Sequence, residues 1–174
     1  MSRKSEISAG LLVYRRRTGV DVLLGHPGGP FWAKKDQGSW SIPKGLVESD
    51  DLLACARREF TEETGLLAEG TATALTPVRQ KSGKLVHAFA VEADLDLTGW
   101  HSNEFTLEWP PRSGKIHSYP EIDRLDYFAL RTALRKIIAY QWPLLMELAE
   151  QLGASRGTEQ GSGAGSGASP ESGS

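Results

Sequence analysis

One stretch of the sequence decides the fold: Arg58-Glu59-Phe60-Thr61-Glu62-Glu63-Thr64-Gly65-Leu66. It closes residues 51–64, a segment without proline or glycine, and Gly65 follows directly. This pattern predicts an α-helix that ends at a glycine stop, because glycine readily adopts the left-handed conformation that terminates many helices. Asp50 or Asp51 is the predicted N-cap, since a short carboxylate side chain accepts hydrogen bonds from the free backbone N–H groups of the first turn.

Three glutamates share one face of the predicted helix. Glu59, Glu62 and Glu63 stand at i, i+3 and i+4, about a quarter turn from the apolar stripe that should face a sheet. That stripe consists of Leu52, Leu53, Ala56 and Phe60. Like charges at these spacings destabilise an isolated helix by roughly 0.2–0.5 kcal/mol per pair, and a hard divalent cation such as Mg²⁺ would reverse that effect. Taken alone, such acidic residues more often form an ordinary solvated helix surface.

Short apolar segments on both sides of this helix predict β-strands. A hairpin is expected around the polar turn at Gly19, and the predicted strands are residues 7–14, 20–25, 72–80, 84–91, 105–109 and 125–130, with a short extended piece at 40–45. Residues 131–140 and 143–152 predict one or two C-terminal helices, with Pro143 marking a break or a fresh start. Strands mixed with two separated helical regions predict an α/β sheet with a helix on each face.

The composition excludes several functional classes. The chain has 20 Lys and Arg against 22 Asp and Glu, so it lacks the basic surplus of a protein that grips long nucleic acid. Cys55 is the only cysteine, which excludes an internal disulfide and a cysteine-based zinc site. No apolar run approaches the roughly 20 residues of a membrane span, and the first residues lack the features of a signal peptide. We therefore expect a soluble, cytoplasmic protein with no membrane partner.

The sequence predicts one folded domain, residues 1–152, followed by a tail. Residues 153–174 are rich in glycine and serine and contain neither an aromatic residue nor a large aliphatic one. Such a segment buries too little apolar surface to offset the backbone entropy lost on ordering, about 1–2 kcal/mol per residue. We therefore expect residues 153–174 to be disordered.

The helical stretch resembles the signature of the Nudix hydrolases, which is a glycine, five residues, a glutamate, seven residues, and then Arg-Glu-apolar-any-Glu-Glu-any-Gly-apolar. Residues 58–66 match the second half in full. The first half departs in two ways, because only four residues separate Gly45 from Asp50, and Asp50 stands where the family has glutamate. Residues 7–13 and the segment Trp40-Ser-Ile-Pro-Lys44-Gly45 also look like the opening strands of the family. The resemblance implies a Nudix-type α/β/α sandwich with a mixed sheet between helices.

The resemblance also implies a magnesium site, with Mn²⁺ as a possible substitute. Carried over from the family, the metal ligands are Glu59, Glu62, Glu63 and the backbone carbonyl of Gly45. Arg58 would orient a glutamate through a charge-assisted hydrogen bond. Lys44, in the Pro-Lys-Gly segment, is a predicted phosphate contact.

The reaction of the family is hydrolysis of a nucleoside diphosphate linked to another group. The attacking water needs a carboxylate to accept its proton. Glu62 and Glu63 are the candidates within the helix. Glu108 and Glu121 are the candidates outside it, and Glu121 is preferred of the two.

Substrate contacts are predicted from residue type. The basic side chains suited to a phosphate chain are Lys34, Lys35, Lys81, Lys84, Arg112 and Lys115, of which we select Lys81 and Arg112. The aromatic side chains suited to stacking a nucleobase are Phe31, Trp32, Trp109 and Tyr119, of which we select Trp32. Taken singly, each is more often a solvated charge or a packing residue.

The predicted function is Mg²⁺-dependent hydrolysis of a pyrophosphate bond in a nucleoside triphosphate or a dinucleoside polyphosphate. The alternative is a catalytically silent Nudix-like module that binds a nucleotide and regulates another process. Asp50 and the shortened loop leave room for the alternative, while the intact glutamates argue against it. The expected partner is the nucleotide substrate and not long nucleic acid, and the family suggests a homodimer.

Overall fold

The computed structural model describes residues 6–159, with side chains through residue 153. Within this part of the chain the strands are β1 (Ile7–Arg16), β2 (Val20–Pro27), β3 (Lys44–Leu46), β4 (Ala72–Ala74), β5 (Val78–Arg79), β6 (Leu85–Glu92), β7 (Glu104–Glu108), β8 (Ile116–Pro120) and β9 (Ile122–Ala129). The helices are α1 (Leu52–Thr64), α2 (Leu130–Lys136) and α3 (Trp142–Glu159), with a short 3₁₀ helix at Ala139–Gln141.

Strand β1 lies at the centre of a mixed sheet and is buried along most of its length. It pairs in parallel with β6 and antiparallel with β2 and β3. The sheet has the order β4-β6-β1-β2-β9, with β3 paired to β1 and β5 paired to β6, while β7 and β8 form a separate two-stranded hairpin. The predicted hairpin of β1 and β2 and the predicted mixed sheet are both confirmed.

The two faces of the sheet carry two hydrophobic cores. Successive side chains of a strand point to opposite faces. Leu12 and Leu24 therefore pack with residues of α2 and α3 on one face. Leu11 and Leu23 pack with Phe60 of α1 on the other. The prediction of a helix on each face is confirmed, and the arrangement is an α/β/α sandwich.

Helix α1 begins and ends where local sequence signals predict. Of the two candidate N-caps, the structure selects Asp51, whose carboxylate accepts a hydrogen bond from the backbone N–H of Ala54 at 3.0 Å. Gly65 forms the C-cap in the left-handed conformation.

The buried stripe of α1 differs from the prediction in its first turn. Its buried side chains are Cys55, Ala56, Phe60 and Thr64, whereas Leu52 and Leu53 are only half-buried. The first turn lies at the margin of the sheet, where Leu52 borders a surface groove together with Ile7 and Leu46. Leu53 packs against the same core as Ala56 and Phe60, as predicted, so only Leu52 departs from the predicted stripe.

Two strand predictions need correction. The segment 72–80 forms two short strands, β4 and β5, because Pro77 lies between them and has no N–H to donate to a ladder. Strand β8 has no counterpart in the prediction, since most of its side chains are exposed and it shows no alternating apolar pattern. Pairing with β7, rather than burial, defines it.

The C-terminal region is divided into two helices. Helix α3 begins at Trp142, so Pro143 occupies its first turn, where a missing N–H loses no intrahelical hydrogen bond. The helix continues past Gly153, the predicted start of the tail, to Glu159, since each further residue of a nucleated helix adds a hydrogen bond. Residues 160–174 of the predicted tail lie outside the described residues. Among residues 6–159, none of the helices combines the length and the apolar character that crossing a membrane requires.

Replacement of Gly65 tests the stop of α1. Gly65 has a φ of 70°, and an added Cβ would lie 2.4 Å from the His101 ring. Gly65→Ala should lower the free energy of unfolding by at least about 1–2 kcal/mol, because a side chain disfavours the left-handed conformation. Gly19→Ala is the matched control, since an added Cβ there meets no atom within 4 Å. Urea denaturation measures both, and equal stabilities of the two variants would contradict the prediction.

Candidate active site

A cavity of about 210 Å³ lies where β2, β3 and the start of β9 meet the segment before α3. Four residues selected from the sequence for separate reasons line it together: Trp32, Lys44, Glu63 and Glu121. The remaining lining residues are Gly25, Pro27, Ser39, Ser41, Ile42, Gln80, Ile122, Ile138 and Tyr140. The fold thus brings a tryptophan, an ammonium group and two carboxyl groups to one concave surface.

Helix α1 carries Glu63 to the lining of this cavity. Its Oε2 accepts a hydrogen bond from the backbone N–H of Lys44 at 3.1 Å. Burial raises the pKa of Glu63 to about 8; the N–H and the ammonium group of Lys44 oppose the rise, and the charges of Glu59 and Glu121 add to it. A carboxyl group whose charged form is disfavoured in this way gains stability from a nearby cation.

Lys44 places positive charge beside Glu63, and Lys84 adds positive charge near Lys44. Burial lowers the pKa of Lys44, and the attraction of Glu63 opposes that change. Burial also lowers the pKa of Lys84, and repulsion by Lys44 lowers it further, so the two ammonium groups lie within electrostatic reach of each other. This combination of charges suits a phosphate chain, since phosphate oxygens are anionic.

Gly45 packs directly against Glu59. A Cβ at Gly45 would lie 2.0 Å from Oε2 of Glu59 and 2.1 Å from its Cδ, so only glycine permits this approach of strand β3 to helix α1. The Glu59 side chain is 16% exposed. Burial raises its pKa, repulsion by Glu62 adds to the rise, and Arg58 opposes it.

Arg58 binds the outer carboxylates of the helix. Its guanidinium lies 3.3 Å from Glu59 and 3.7 Å from Glu62. The three glutamates are therefore divided, with Glu59 and Glu62 beside Arg58 and Glu63 beside Lys44. Among the residues that the structure describes, no group of three His, Cys, Asp or Glu side chains is arranged to hold a metal ion.

Glu48, and not Asp50, is the loop carboxylate that reaches Arg58. Its Oε2 lies 3.7 Å from Nη1 of Arg58, while Asp50 is exposed beside the N-cap Asp51 and has no ion pair with Arg58 among the described residues. The loop that follows Gly45 is one residue shorter than the family pattern. Glu48 lies within this shorter loop. Only its place in that loop could have indicated Glu48 from the sequence.

The other sequence-selected residues lie outside the cavity. Lys81 is exposed in the turn between β5 and β6, and Arg112 is exposed at the tip of the β7–β8 hairpin. Neither belongs to the described lining of the cavity, so contact of either with substrate stays a prediction. Glu108, the less favoured candidate base, is exposed and accepts a hydrogen bond from the backbone N–H of Gly114 within the same hairpin.

The loop between β2 and β3 carries Trp32 and is anchored by His26, which is completely buried. The Nδ1 atom of His26 lies 2.6 Å from the carboxylate of Asp123, and Nε2 lies 2.6 Å from the carbonyl oxygen of Lys35. The ammonium group of Lys35 lies 5.0 Å from the centre of the Trp32 ring. The side of the cavity formed by Trp32 is therefore tied to β2 and β9.

A family model described as the NUDIX domain matches residues 4–139. The chain belongs to the Nudix family. Membership confirms the predicted family and fold. It also identifies the chain as a pyrophosphohydrolase of nucleotide derivatives. None of the curated proteins matches its sequence.

Solved structures share the fold of this Nudix chain. The binary complex of the C. elegans Ap4A hydrolase has 22% identity and a TM-score of 0.58, covering 84% of this chain and 98% of that one. The NUDIX domain of Shewanella oneidensis NrtR, complexed with ADP ribose, has 14% identity and a TM-score of 0.58, covering 87% and 90%. A mutT/nudix family protein from Listeria innocua has 15% identity and a TM-score of 0.60, covering 90% and 99%. At these identities the likeness concerns the fold alone.

The buried Glu63 carboxyl predicts a pH dependence of stability without divalent cations. Its pKa is about 8 in the folded chain against an ordinary value of 4.5, so the folded state binds the proton more tightly between these values. This contribution to the free energy of unfolding is present in full below about pH 4.5 and is lost as the pH rises toward about 8.

Glu63→Gln should remove that pH dependence, which amounts to a few kcal/mol at most. Denaturation of both proteins in EDTA at about pH 5 and about pH 8 measures it, with the exposed Glu69→Gln as matched control. If the wild type and the Glu63 variant lose stability equally over this range, the prediction is wrong.

The partner of Arg58 can be identified by double-mutant cycles at low ionic strength. Glu48→Gln combined with Arg58→Ala should give a coupling energy of about 0.2–1 kcal/mol, the range of exposed ion pairs. Asp50→Asn combined with the same Arg58 variant should give a coupling energy near zero. Chemical denaturation supplies both values, and a larger coupling for Asp50 would reverse the assignment.

Proposed function

We propose that this chain hydrolyses a pyrophosphate bond of a nucleoside triphosphate or a dinucleoside polyphosphate, with Mg²⁺ at the glutamates of α1 and Mn²⁺ as a possible substitute. One observation carries the proposal. The Glu63 carboxyl is held beside Lys44 in a cavity where its charged form is disfavoured. Functional sites often hold an ionisable group in surroundings that disfavour its charged form.

The proposed metal ligands are the carboxylates of Glu59, Glu62 and Glu63 and the backbone carbonyl of Gly45. They are hard oxygen donors, which is the ligand type that Mg²⁺ prefers. The ion would neutralise the negative charge that develops on the phosphate oxygens. Arg58, in contact with Glu59 and Glu62, would fix the orientation of both carboxylates.

The substrate contacts follow from the lining of the cavity. Lys44 is the proposed phosphate contact, and Trp32 is the proposed base contact. Lys81 and Arg112 are proposed to reach only parts of a long substrate that project beyond the cavity. Glu121 lines the same cavity as Glu63, and its charge adds to the rise in the pKa of Glu63. Either of these two, or Glu62, would accept the proton of the attacking water.

A silent nucleotide-binding module is the second candidate function. It is favoured by the ion pairs of Arg58, which engage two of the three proposed ligands. The likeness in fold to the NrtR domain complexed with ADP ribose is compatible with it. Both candidates bind nucleotides, so only turnover separates them.

We further propose a cytoplasmic protein that acts as a homodimer on nucleotides and not on long nucleic acid. The net charge of −2 supports the last point, because a nucleic-acid surface needs clustered positive charge.

Hydrolysis of a nucleotide panel with Mg²⁺, followed by separation of the products, should distinguish an enzyme from a silent module. The panel consists of nucleoside triphosphates, dinucleoside polyphosphates, ADP-ribose and nucleotide sugars, with products identified by mass. The wild type should turn over at least one nucleotide, and Glu62→Gln should lower kcat about 10²-fold or more, since a metal ligand is lost.

The control is Glu150→Gln, which makes the same chemical change at an exposed position of α3 and should keep wild-type turnover. Replacement of Mg²⁺ by EDTA should abolish hydrolysis, and Mn²⁺ should restore it in part. Absence of hydrolysis by the wild type across the whole panel would reject the enzyme in favour of the silent module, and equal hydrolysis by the wild type and the Glu62 variant would reject Glu62 as a metal ligand.

A further inference from the structure

We infer that the part of this cavity lined by Trp32, Gln80 and Tyr140 binds the nucleobase of the substrate, with the Tyr140 hydroxyl as a specificity-determining hydrogen-bond donor. The inference rests on the proposed function for the class of substrate. It goes beyond that function in naming the residues that read the base.

The orientation of the Tyr140 hydroxyl follows from Gln141, which is completely buried. The side-chain oxygen Oε1 of Gln141 accepts a hydrogen bond from the backbone N–H of Ile42 at 3.0 Å. An N–H group can only donate, so this bond fixes which end of the amide is the oxygen. The Nε2 group of Gln141 therefore donates, and its acceptors are Oγ of Ser41 at 2.8 Å and the hydroxyl of Tyr140 at 2.9 Å.

The Tyr140 hydroxyl oxygen receives a second hydrogen bond, from Nε2 of Gln80 at 3.0 Å. A phenolic hydroxyl has two acceptor sites and one proton to donate, and both acceptor sites are now used. Its own proton donates to no acceptor among the described residues, and the ring lines the cavity. Burial raises the pKa of Tyr140, while the bonds from Gln141 and Gln80 oppose the rise, so the proton is retained. It is available to a bound ligand.

Gln80 offers a hydrogen-bond acceptor beside the donor of Tyr140. Its amide uses one N–H on Tyr140 and keeps a carbonyl oxygen and a second N–H. A donor at Tyr140 next to an acceptor at Gln80 matches the edge of a nucleobase, where a ring or exocyclic acceptor lies beside an N–H donor. Glutamine amides read the adjacent donor and acceptor of adenine in the same way.

The other lining residues favour a flat ring over a sugar or further phosphates. Trp32 offers an aromatic face for stacking, and Ile122 and Ile138 add apolar surface. The volume of about 210 Å³ is below the roughly 300–1,000 Å³ of sites that enclose a whole ligand. The cavity thus accommodates one end group of a nucleotide, and the rest of the substrate extends past Lys44 and Glu63.

Isothermal calorimetry with the four nucleoside 5′-monophosphates tests this site without turnover, because these probes contain no anhydride bond. Tyr140→Phe should weaken binding of at least one of them about tenfold, the effect of one hydrogen bond, and should leave ribose 5-phosphate unaffected. The matched control is Tyr14→Phe, since Tyr14 packs against the same core but is not part of the described cavity lining. Thermal denaturation confirms that each variant is folded.

Gln80→Ala provides a second variant that leaves the bonds of the buried Gln141 to Ser41 and Ile42 in place. It should reproduce the selective loss for nucleoside monophosphates. In turnover, both variants should raise KM for a nucleotide about tenfold with a much smaller change in kcat.

Three results would overturn the base site. The first is that the wild type binds no nucleoside monophosphate at millimolar concentration. The second is that both variants bind these nucleotides as tightly as the wild type does. The third is that the variants weaken the binding of ribose 5-phosphate as much as that of the nucleotides. None of these bears on whether the chain is a hydrolase. Conversely, absence of turnover by the wild type would reject the proposed function, while the calorimetry would still decide on the base site.

Discussion

The hydrogen bond between the Lys44 amide and the Glu63 carboxylate is the contact on which the candidate site depends, because it joins strand β3 to the end of helix α1. Strand β3 is held in turn by β1, where Lys44 lies opposite Gly10. A Cβ at Gly10 would lie 2.5 Å from the carbonyl oxygen of Pro43. A glycine in the middle of a core strand therefore permits the close approach of Pro43 and Lys44 to β1.

The candidate site holds charged groups in positions that are unfavourable for the stability of the fold. Three acidic residues lie on one helix face, Glu63 is largely removed from water, and Lys44 is buried enough to lower the pKa of its ammonium group. By contrast, Asp51 and Gly65 cap α1 as local rules predict, and leucines fill both cores. Unfavourable charged groups gathered where β3 meets the end of α1 are typical of a binding or catalytic site.

The sequence predicts the parts of the molecule that depend on local signals. The bounds of α1, the hairpin of β1 and β2 and the helix on each face follow from caps and apolar periodicity. Lys44 and Glu63 follow from a motif. By contrast, Tyr140 and Gln80 acquire their place only through tertiary contacts, and Tyr140 lies just beyond residues 4–139, which the family model matches. Lys81 and Arg112 are predicted from their charge and their position in turns, and neither property determines where a loop lies relative to the cavity.

The cavity is assembled from distant parts of the chain, and this bears on when it forms during synthesis. Its wall depends on Gln141 reaching Ile42 across 99 positions and on His26 reaching Asp123 across 97. Helix α1 leaves the ribosome long before either contact is available. A nascent chain or a C-terminally truncated fragment would carry the complete acidic helix without the pocket, so unfinished copies would have no shaped surface with which to capture cellular nucleotides.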